Sequence, residues 1–201
     1  MKKAAHIISA VFSPLLVPTY AMVLVFSCTQ LRQLPWSSIL SVTGLVLLLT
    51  AVVPALLILA LKMVGVISQV NLDKRTDRTI PYTIVALLYI AVMIYLYRAQ
   101  APSWLSGFML GATIAIIAVT VVNLKWKISA HMTAMGGLVA LSLAIPFLGV
   151  EQVYMLWPII ATLVASGLTG SARIELDCHT PAQVGAGFAV GLVAVFLCCL
   201  L

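Results

Sequence analysis

Three short polar segments contain most of the side chains in this sequence that could do chemistry. The segments are residues 71–81, 123–131 and 171–181. They hold two of the three histidines and most of the basic residues, in the order Lys74, Arg75, Arg78, Lys125, Lys127, His131, Arg173 and His179. Guanidinium, ammonium and imidazole groups are the donors that hold phosphate oxygens. If the segments meet in space, they predict a binding site for an anion such as a phosphate group.

A pair of histidines beside fixed cations also suits phosphoryl transfer. A neutral imidazole can attack phosphorus, and a second imidazole can protonate the leaving oxygen when its pKa lies near the working pH. Fixed cations stabilise the charge on the equatorial oxygens. A simpler interpretation is that the basic residues only mark the cytoplasmic loops of a membrane protein. It accounts for the lysines, but not for two histidines that each stand at the head of an apolar run.

The elements that position these segments are apolar helices. Of the 201 residues, 63% are hydrophobic and only 8% are charged, with a mean hydropathy of +1.19. A soluble domain has roughly a quarter of its residues charged, whereas a membrane-spanning helix needs roughly 20 apolar residues. Seven apolar runs follow one another, at 7–29, 39–61, 82–97, 104–122, 132–148, 153–170 and 182–201.

The sequence therefore predicts an all-α fold, namely a polytopic membrane helix bundle of six to seven transmembrane helices. It forms a single domain over residues 1–201. The number is a range because Pro14 and Pro18 each remove a helical hydrogen bond from the first run. In the last run, three small residues predict a face for close helix packing, namely Gly185, Gly187 and Gly191.

Composition and spacing exclude several classes of function. The 11 basic residues give a net charge of +6, but they form no continuous basic face, so no nucleic-acid partner is expected. The phosphoryl transfer described above needs no metal, and the absence of a carboxylate cluster agrees with that, so no cofactor is expected. The four cysteines lack the spacing of a metal or redox site, and they are Cys28, Cys178, Cys198 and Cys199.

Counting the predicted spans brings the three polar segments together. Two spans separate 71–81 from 123–131, and two more separate 123–131 from 171–181. An even number of crossings returns the chain to the same membrane surface, so the three segments can form one site. Which surface this is stays open. The excess of basic residues favours the cytoplasm, whereas a first run that does not cross would reverse the parity.

The last polar segment resembles a motif of the type 2 phosphatidic acid phosphatase superfamily. Arg173 and His179 keep the spacing of the family pattern Ser-Arg-x5-His-x3-Asp, with Ser171 one residue further upstream than expected. Gln183 stands where the pattern has aspartate. It lies one helical turn beyond His179, so its amide oxygen could orient the imidazole, but it supplies no negative charge. Three acids could supply that charge instead, namely Asp77, Glu175 and Asp177.

The other two segments resemble the remaining motifs of the family more loosely. The pattern Pro-Ser-Gly-His survives as Ser-Ala-His at 129–131. The pattern Lys-x6-Arg-Pro is represented by Lys74, Arg78 and Pro81, with three residues between the first two. Arg75 could take the place of Lys74. Two apparent spans separate these motifs, whereas some members of the family have both in one loop.

The resemblance implies a metal-independent lipid phosphate phosphatase that works through a phosphohistidine. His179 would attack phosphorus and His131 would protonate the leaving oxygen, with Gln183 orienting the nucleophile. Arg173 and Arg78 would be the main groups that bind the phosphate oxygens. Further donors would stand behind them, namely Lys74, Arg75, Lys127 and Ser129.

The implied substrate is an amphiphile in the surrounding membrane lipid, with its tail among the helices. Phosphatidic acid, phosphatidylglycerol phosphate, lipid A phosphate and polyprenyl diphosphate all fit, and the sequence does not choose among them. The expected location is a bacterial inner membrane, and no oligomeric state is predicted. Two other functions stay open. One is an anion-binding transporter or channel, and the other is a catalytically inactive homologue that binds lipid headgroups.

Overall fold

The computed structural model describes residues 2–150 and 154–201, which form helices joined by turns and loops and contain no strand. The helices are α1 (Lys2–Val11), α2 (Val17–Cys28), α3 (Trp36–Leu47), α4 (Val53–Met63), α5 (Thr79–Arg98), α6 (Ser103–Asn123), α7 (Ala130–Phe147), α8 (Leu156–Glu175) and α9 (Pro181–Cys199). The predicted all-α bundle is confirmed. The sixth predicted span begins at residue 153, which lies outside the described residues, as does part of the turn before it.

Within residues 2–150 and 154–201, five helical segments are long and apolar enough to cross a membrane, which identifies the chain as a membrane protein. They are Trp36–Met63, Arg75–Arg98, Ser103–Asn123, Ala130–Phe147 and Pro181–Cys199. Fewer spans are found than the six to seven that the sequence predicts, because two further helices do not meet both conditions. Helix α2 is apolar but has only 12 residues, fewer than the roughly 20 that a bilayer requires. Helix α8 has 20 residues but carries several serines and threonines and a buried arginine.

The first apolar run is two helices rather than one. Helix α1 ends at Val11 and α2 begins at Val17, because Pro14 and Pro18 cannot donate the backbone hydrogen bonds that a continuous helix needs. The hydroxyl of Tyr20 in α2 donates to the carbonyl oxygen of Val11 at 2.7 Å. The bend therefore partly satisfies the exposed carboxyl end of α1.

Helices α3 and α4 form one rod through a π-helical turn at Leu48–Val52. The turn follows from Pro54, which has no N–H to donate to the carbonyl four residues earlier, at Thr50. The side chain of Thr50 then donates to the carbonyl oxygen of Leu15 at 3.3 Å. The break between α1 and α2 is thus fixed against the irregular turn of the neighbouring rod.

Helix α9 packs closely against α7, and this contact fixes the relation between the last two polar segments. A Cβ atom at Gly187 would lie 2.5 Å from the carbonyl oxygen of Ser129, and one at Gly191 would collide with the carbonyl of Thr133. The predicted packing face is confirmed at these two glycines, whereas Gly185 faces open space. The amino termini of α7 and α9 consequently lie side by side.

Candidate functional site

A polar chamber of about 500 Å³ lies where the three polar segments meet. Arg78 of the first segment, His131 of the second, and Arg173 and His179 of the third all line it. Ser9 of α1 lines it as well. The structure therefore brings together the four residues to which the sequence assigned the main chemical roles, although the first and last of them are 101 positions apart in the chain.

The imidazole of His179 is held by the first turn of α9. Thr180 is the N-cap of this helix, and its hydroxyl oxygen accepts from the backbone N–H of Gln183 at 3.4 Å. In return Gln183 Oε1 accepts from the N–H of Thr180 at 3.2 Å, which completes a capping box. The same Oε1 lies 3.1 Å from Nδ1 of His179. Because an amide oxygen only accepts, Nδ1 carries the hydrogen and Nε2 keeps a free lone pair.

The surroundings of His179 keep its ring neutral. The side chain is only 7% exposed, and burial is the main reason why its pKa falls from 6.5 to about 4. The hydrogen bond that Nδ1 of His179 donates to Gln183 acts in the opposite direction and raises the pKa, while the nearby positive charges of Arg78 and Arg173 lower it further. A neutral imidazole with a free Nε2 lone pair is the form of histidine that acts as a nucleophile.

Arg173 is a buried cation whose hydrogen-bonding capacity is largely unused. Its side chain is 9% exposed, and Nη1 lies 3.5 Å from the hydroxyl oxygen of Ser9. Its buried Nε has no hydrogen-bond partner among the described residues. Among the described residues, the ion pair that is present joins Lys2 to Asp177 at the surface and does not involve Arg173. Asp73 is the carboxylate among the chamber-lining residues, and it forms no ion pair with Arg173.

Arg78 has a structural role in addition to lining the chamber. It is 3% exposed, and its Nε donates to the carbonyl oxygen of Leu72 at 2.7 Å. Its Nη1 donates to the carbonyl oxygen of Ile128 at 3.1 Å. These bonds tie the first polar segment to the second. Since a guanidinium has five N–H donors, the remaining ones are free to bind a ligand in the chamber.

The ring of His131 is oriented from α1. Its Nε2 lies 3.2 Å from the backbone carbonyl oxygen of Ser9, and because a carbonyl only accepts, Nε2 carries the hydrogen. Nδ1 is thus the nitrogen left for a ligand. Ser9 was not predicted as a site residue. Its contribution through a backbone carbonyl is independent of residue type, so no pattern in the sequence indicates it.

Arg75 does not line the chamber. Its Nη1 donates to the carbonyl oxygens of Asn123, at 3.0 Å, and Leu124. The side chain of Asn123 donates back to the carbonyl oxygen of Arg75 at 2.9 Å. The guanidinium therefore binds the carboxyl end of α6, where the last carbonyls of a helix lack partners, instead of facing a phosphate.

Three other predicted phosphate-binding residues also lie off the chamber. Lys74 is exposed. Ser129 is fully buried, and its hydroxyl accepts from the N–H of Met132 at 3.4 Å as the N-cap of α7. Lys127 lies closer, since burial and then the charge of Arg78 lower its pKa. Lys127 therefore adds to the positive potential near the chamber without lining it.

None of the three candidate acids bonds to His179 within the described residues. Asp77 accepts from the backbone N–H of Ser68 at 2.7 Å, and Asp177 pairs with Lys2 at 3.6 Å. Gln183 is the group that orients the ring. The described residues also contain no group of three or more His, Cys, Asp or Glu side chains placed to hold a metal ion.

No protein-family model, curated protein or solved structure matches this chain. The geometry of the chamber is therefore the basis for assigning its function.

Proposed function

We propose that this membrane protein is a lipid phosphate phosphatase that hydrolyses a phosphomonoester or diphosphate through a phosphohistidine on His179. One observation carries the proposal. The buried guanidinium of Arg173, with its Nε unpartnered, shares a chamber with two imidazoles that are each oriented by a hydrogen bond.

An anion in the chamber would satisfy Arg173. A buried cation without a partner costs several kcal/mol, and among the described lining residues Arg78 adds a second guanidinium, whereas Asp73 is the one carboxylate. Guanidinium groups bind phosphate oxygens in a bidentate way. The excess of positive charge supports a phosphate rather than a neutral ligand.

His179 is suited to the first chemical step. The Nε2 lone pair attacks phosphorus, a P–N bond forms, and the P–O bond to the lipid breaks with its electron pair going to the leaving oxygen. Arg173 and Arg78 stabilise the charge on the equatorial oxygens. Gln183 accepts from Nδ1 throughout and so keeps Nε2 directed at the phosphate.

We assign the proton transfers to His131, because Nδ1 is its ring nitrogen left for a ligand. With a proton on each nitrogen, it donates from Nε2 to the carbonyl of Ser9 and from Nδ1 to the leaving oxygen. In the second step a water molecule attacks phosphorus, the P–N bond breaks, and Nδ1 of His131 takes the proton from that water. Both histidines thereby return to their starting protonation states.

The test is release of phosphate from lipid phosphates by the detergent-solubilised protein. We expect turnover of at least one of phosphatidic acid, phosphatidylglycerol phosphate, lipid A phosphate and a polyprenyl diphosphate. We expect loss of turnover in His179→Ala. Lys125→Gln is the matched control, because Lys125 is an exposed basic residue of the second polar segment that does not line the chamber.

Absence of phosphate release from every one of these lipids would overturn the enzyme proposal. Binding without turnover would point to an inactive protein that recognises lipid headgroups. Phosphate flux across proteoliposomes without hydrolysis would point to a transporter.

A further inference from the structure

Tyr82 lines the polar chamber beside the two arginines, and the reaction steps proposed above do not use it. It lies in α5 four residues after Arg78, so one helical turn places both side chains on the same face. The charges of Arg78 and Arg173 both act on its phenol, which therefore lies near each of them. Tyr82 brings a neutral hydroxyl to the same part of the chamber as the two cations.

The hydroxyl of Tyr82 is on a buried side chain but has no partner among the described residues. The residue is 9% exposed, and a buried tyrosine hydroxyl usually has a hydrogen-bond partner. The hydroxyl of Tyr20 donates to the carbonyl oxygen of Val11, whereas that of Tyr82 forms no such bond to residues 2–150 or 154–201. In those ranges, the unpartnered hydroxyls that protein encloses belong to Thr19 and Ser106. The hydroxyl of Tyr82 is not enclosed, so a ligand in the chamber can reach it.

Tyr82 and Arg173 stand on different walls of the chamber. Helix α5 packs against α4 and α6, whereas α8 packs against α1 and α7. On the α5 side, Arg78 uses Nε and Nη1 to hold the carbonyl oxygens of Leu72 and Ile128, which leaves fewer of its five N–H donors for a ligand. A phosphate group held by Arg173 has other oxygens that point away from α8, and Tyr82 offers a donor for them.

We propose that Tyr82 is a further phosphate-binding residue, whose hydroxyl donates a hydrogen bond to a phosphate oxygen in the chamber. The inference rests on the proposed function, because it concerns the same phosphate group. The hydroxyl keeps its proton and helps the arginines to stabilise the charge on an equatorial oxygen while His179 attacks. A lipid phosphate and inorganic phosphate share this chemistry, so the test has one arm for each.

The first arm is isothermal titration of the detergent-solubilised protein with inorganic phosphate. We expect Tyr82→Phe to bind roughly ten- to a hundredfold more weakly than the wild type, the effect of one hydrogen bond to a charged group. Its Tm without phosphate should equal that of the wild type, because the hydroxyl has no protein partner to lose. A tyrosine with a purely structural hydroxyl would show the reverse, namely a lower Tm and an unchanged phosphate affinity.

Tyr89→Phe is the matched control. Tyr89 lies seven residues further along the same helix and is 7% exposed, but it is not among the described lining residues of the chamber. The variant loses the same hydroxyl from a similarly buried ring, about 10 Å away along the axis. It should bind inorganic phosphate with wild-type affinity.

A label on the unsubstituted side chain keeps the test independent of whether Tyr82→Phe folds. Tyrosine carrying carbon-13 at Cζ is introduced at position 82 alone, and its resonance is followed by NMR as inorganic phosphate is added. A hydrogen bond from the phenol to the anion should shift this resonance. The same label at position 89 should give no shift.

The second arm measures kcat/KM for whichever lipid phosphate the wild type hydrolyses. We expect a loss of roughly ten- to a hundredfold in Tyr82→Phe and none in Tyr89→Phe. Three results would each overturn the inference, namely equal phosphate affinity in Tyr82→Phe and wild type, no phosphate-dependent shift at position 82, or no binding of inorganic phosphate by the wild type.

The two proposals fail in different ways. Absence of turnover, with phosphate affinity still lost in Tyr82→Phe, would overturn the proposed function and leave Tyr82 in an anion-binding site. Turnover that Tyr82→Phe does not change would overturn only the assignment of Tyr82.

Discussion

The side-chain oxygen of Gln183 lies 3.1 Å from Nδ1 of His179 and 3.2 Å from the backbone N–H of Thr180. One amide oxygen thus serves both as part of the helix cap and as the group that orients the imidazole. The link explains how a neutral glutamine can orient the imidazole. The imidazole keeps its tautomer through a neutral acceptor, which lacks the negative charge that a carboxylate would supply.

This arrangement predicts that one substitution of Gln183 lowers activity and another retains it. Gln183→Leu removes the acceptor, and we expect kcat/KM for lipid phosphate to fall by roughly a hundredfold or more, since loss of the correct tautomer is severe for the catalytic histidine of serine proteases. Gln183→Glu keeps both the acceptor and the capping box, so activity is retained. Its carboxylate should raise the pKa of His179, measured by NMR titration of the ring. An unchanged pKa in Gln183→Glu would contradict the proposed contact.

The low pKa of His179 predicts activity in acid. The ring is protonated only as the pH falls through about 4, whereas an ordinary histidine is protonated below about 6.5. We therefore expect the acid limb of the kcat/KM profile that His179 controls to lie near pH 4, and to move upward in Gln183→Glu. A limb near pH 6.5 that Gln183→Glu does not move would argue against His179 as the nucleophile.

The same shift predicts how stability depends on pH. Between pH 6.5 and about 4 the unfolded chain takes up a proton at His179 while the folded chain does not, so the folded state loses stability as the pH falls through this window. We expect the Tm of the wild type to fall more steeply there than that of His179→Ala. Parallel Tm curves for the two proteins would show that burial does not shift the pKa.

Arg173 and Arg75 should behave differently although both are arginines of the polar segments. Arg173→Lys keeps the charge but loses the planar fork, and we expect inorganic phosphate to bind roughly ten- to a hundredfold more weakly, as expected when a charge-assisted hydrogen bond is lost. Isothermal titration measures this. Equal affinity in Arg173→Lys and wild type would remove Arg173 from the phosphate site.

Arg75→Ala should instead lower stability. It breaks the bonds that hold the first polar segment to the end of α6, and a loss of about 1–3 kcal/mol is expected, seen as a lower Tm. The folded protein should still bind phosphate with nearly wild-type affinity. Lys74→Ala, at the exposed neighbouring position, is the control. Loss of phosphate binding at an unchanged Tm would place Arg75 in the site after all.

The main features of the fold and the site could be predicted because they depend on periodic or additive properties. Hydropathy identifies the helices, and one helical turn brings Gln183 next to His179. The number of spans among the described residues differs from the predicted six to seven, because it depends on local breaks at Pro14 and Pro18 and on the polar residues of α8.

Other features could not be predicted because they depend on tertiary contacts. Arg75 and Arg78 are equivalent by residue type, and only the position of α6 directs one to its carbonyls while the other lines the chamber. Ser9 takes part through a backbone carbonyl, which every residue has. The contact between the α1–α2 break and the π-helical turn joins residues 35 positions apart, Thr50 and Leu15, and no local pattern indicates it.

Trapping the covalent intermediate tests the central proposal most directly. Acid-free quenching of the enzyme with a lipid radiolabelled in its phosphate should give a phosphoprotein whose label is stable in base and lost in acid, as expected for phosphohistidine. We expect the label on His179, its absence in His179→Ala, and its longer lifetime in His131→Ala, where the base for the second step is missing. Label on any other residue, or hydrolysis by His179→Ala at the wild-type rate, would contradict the account.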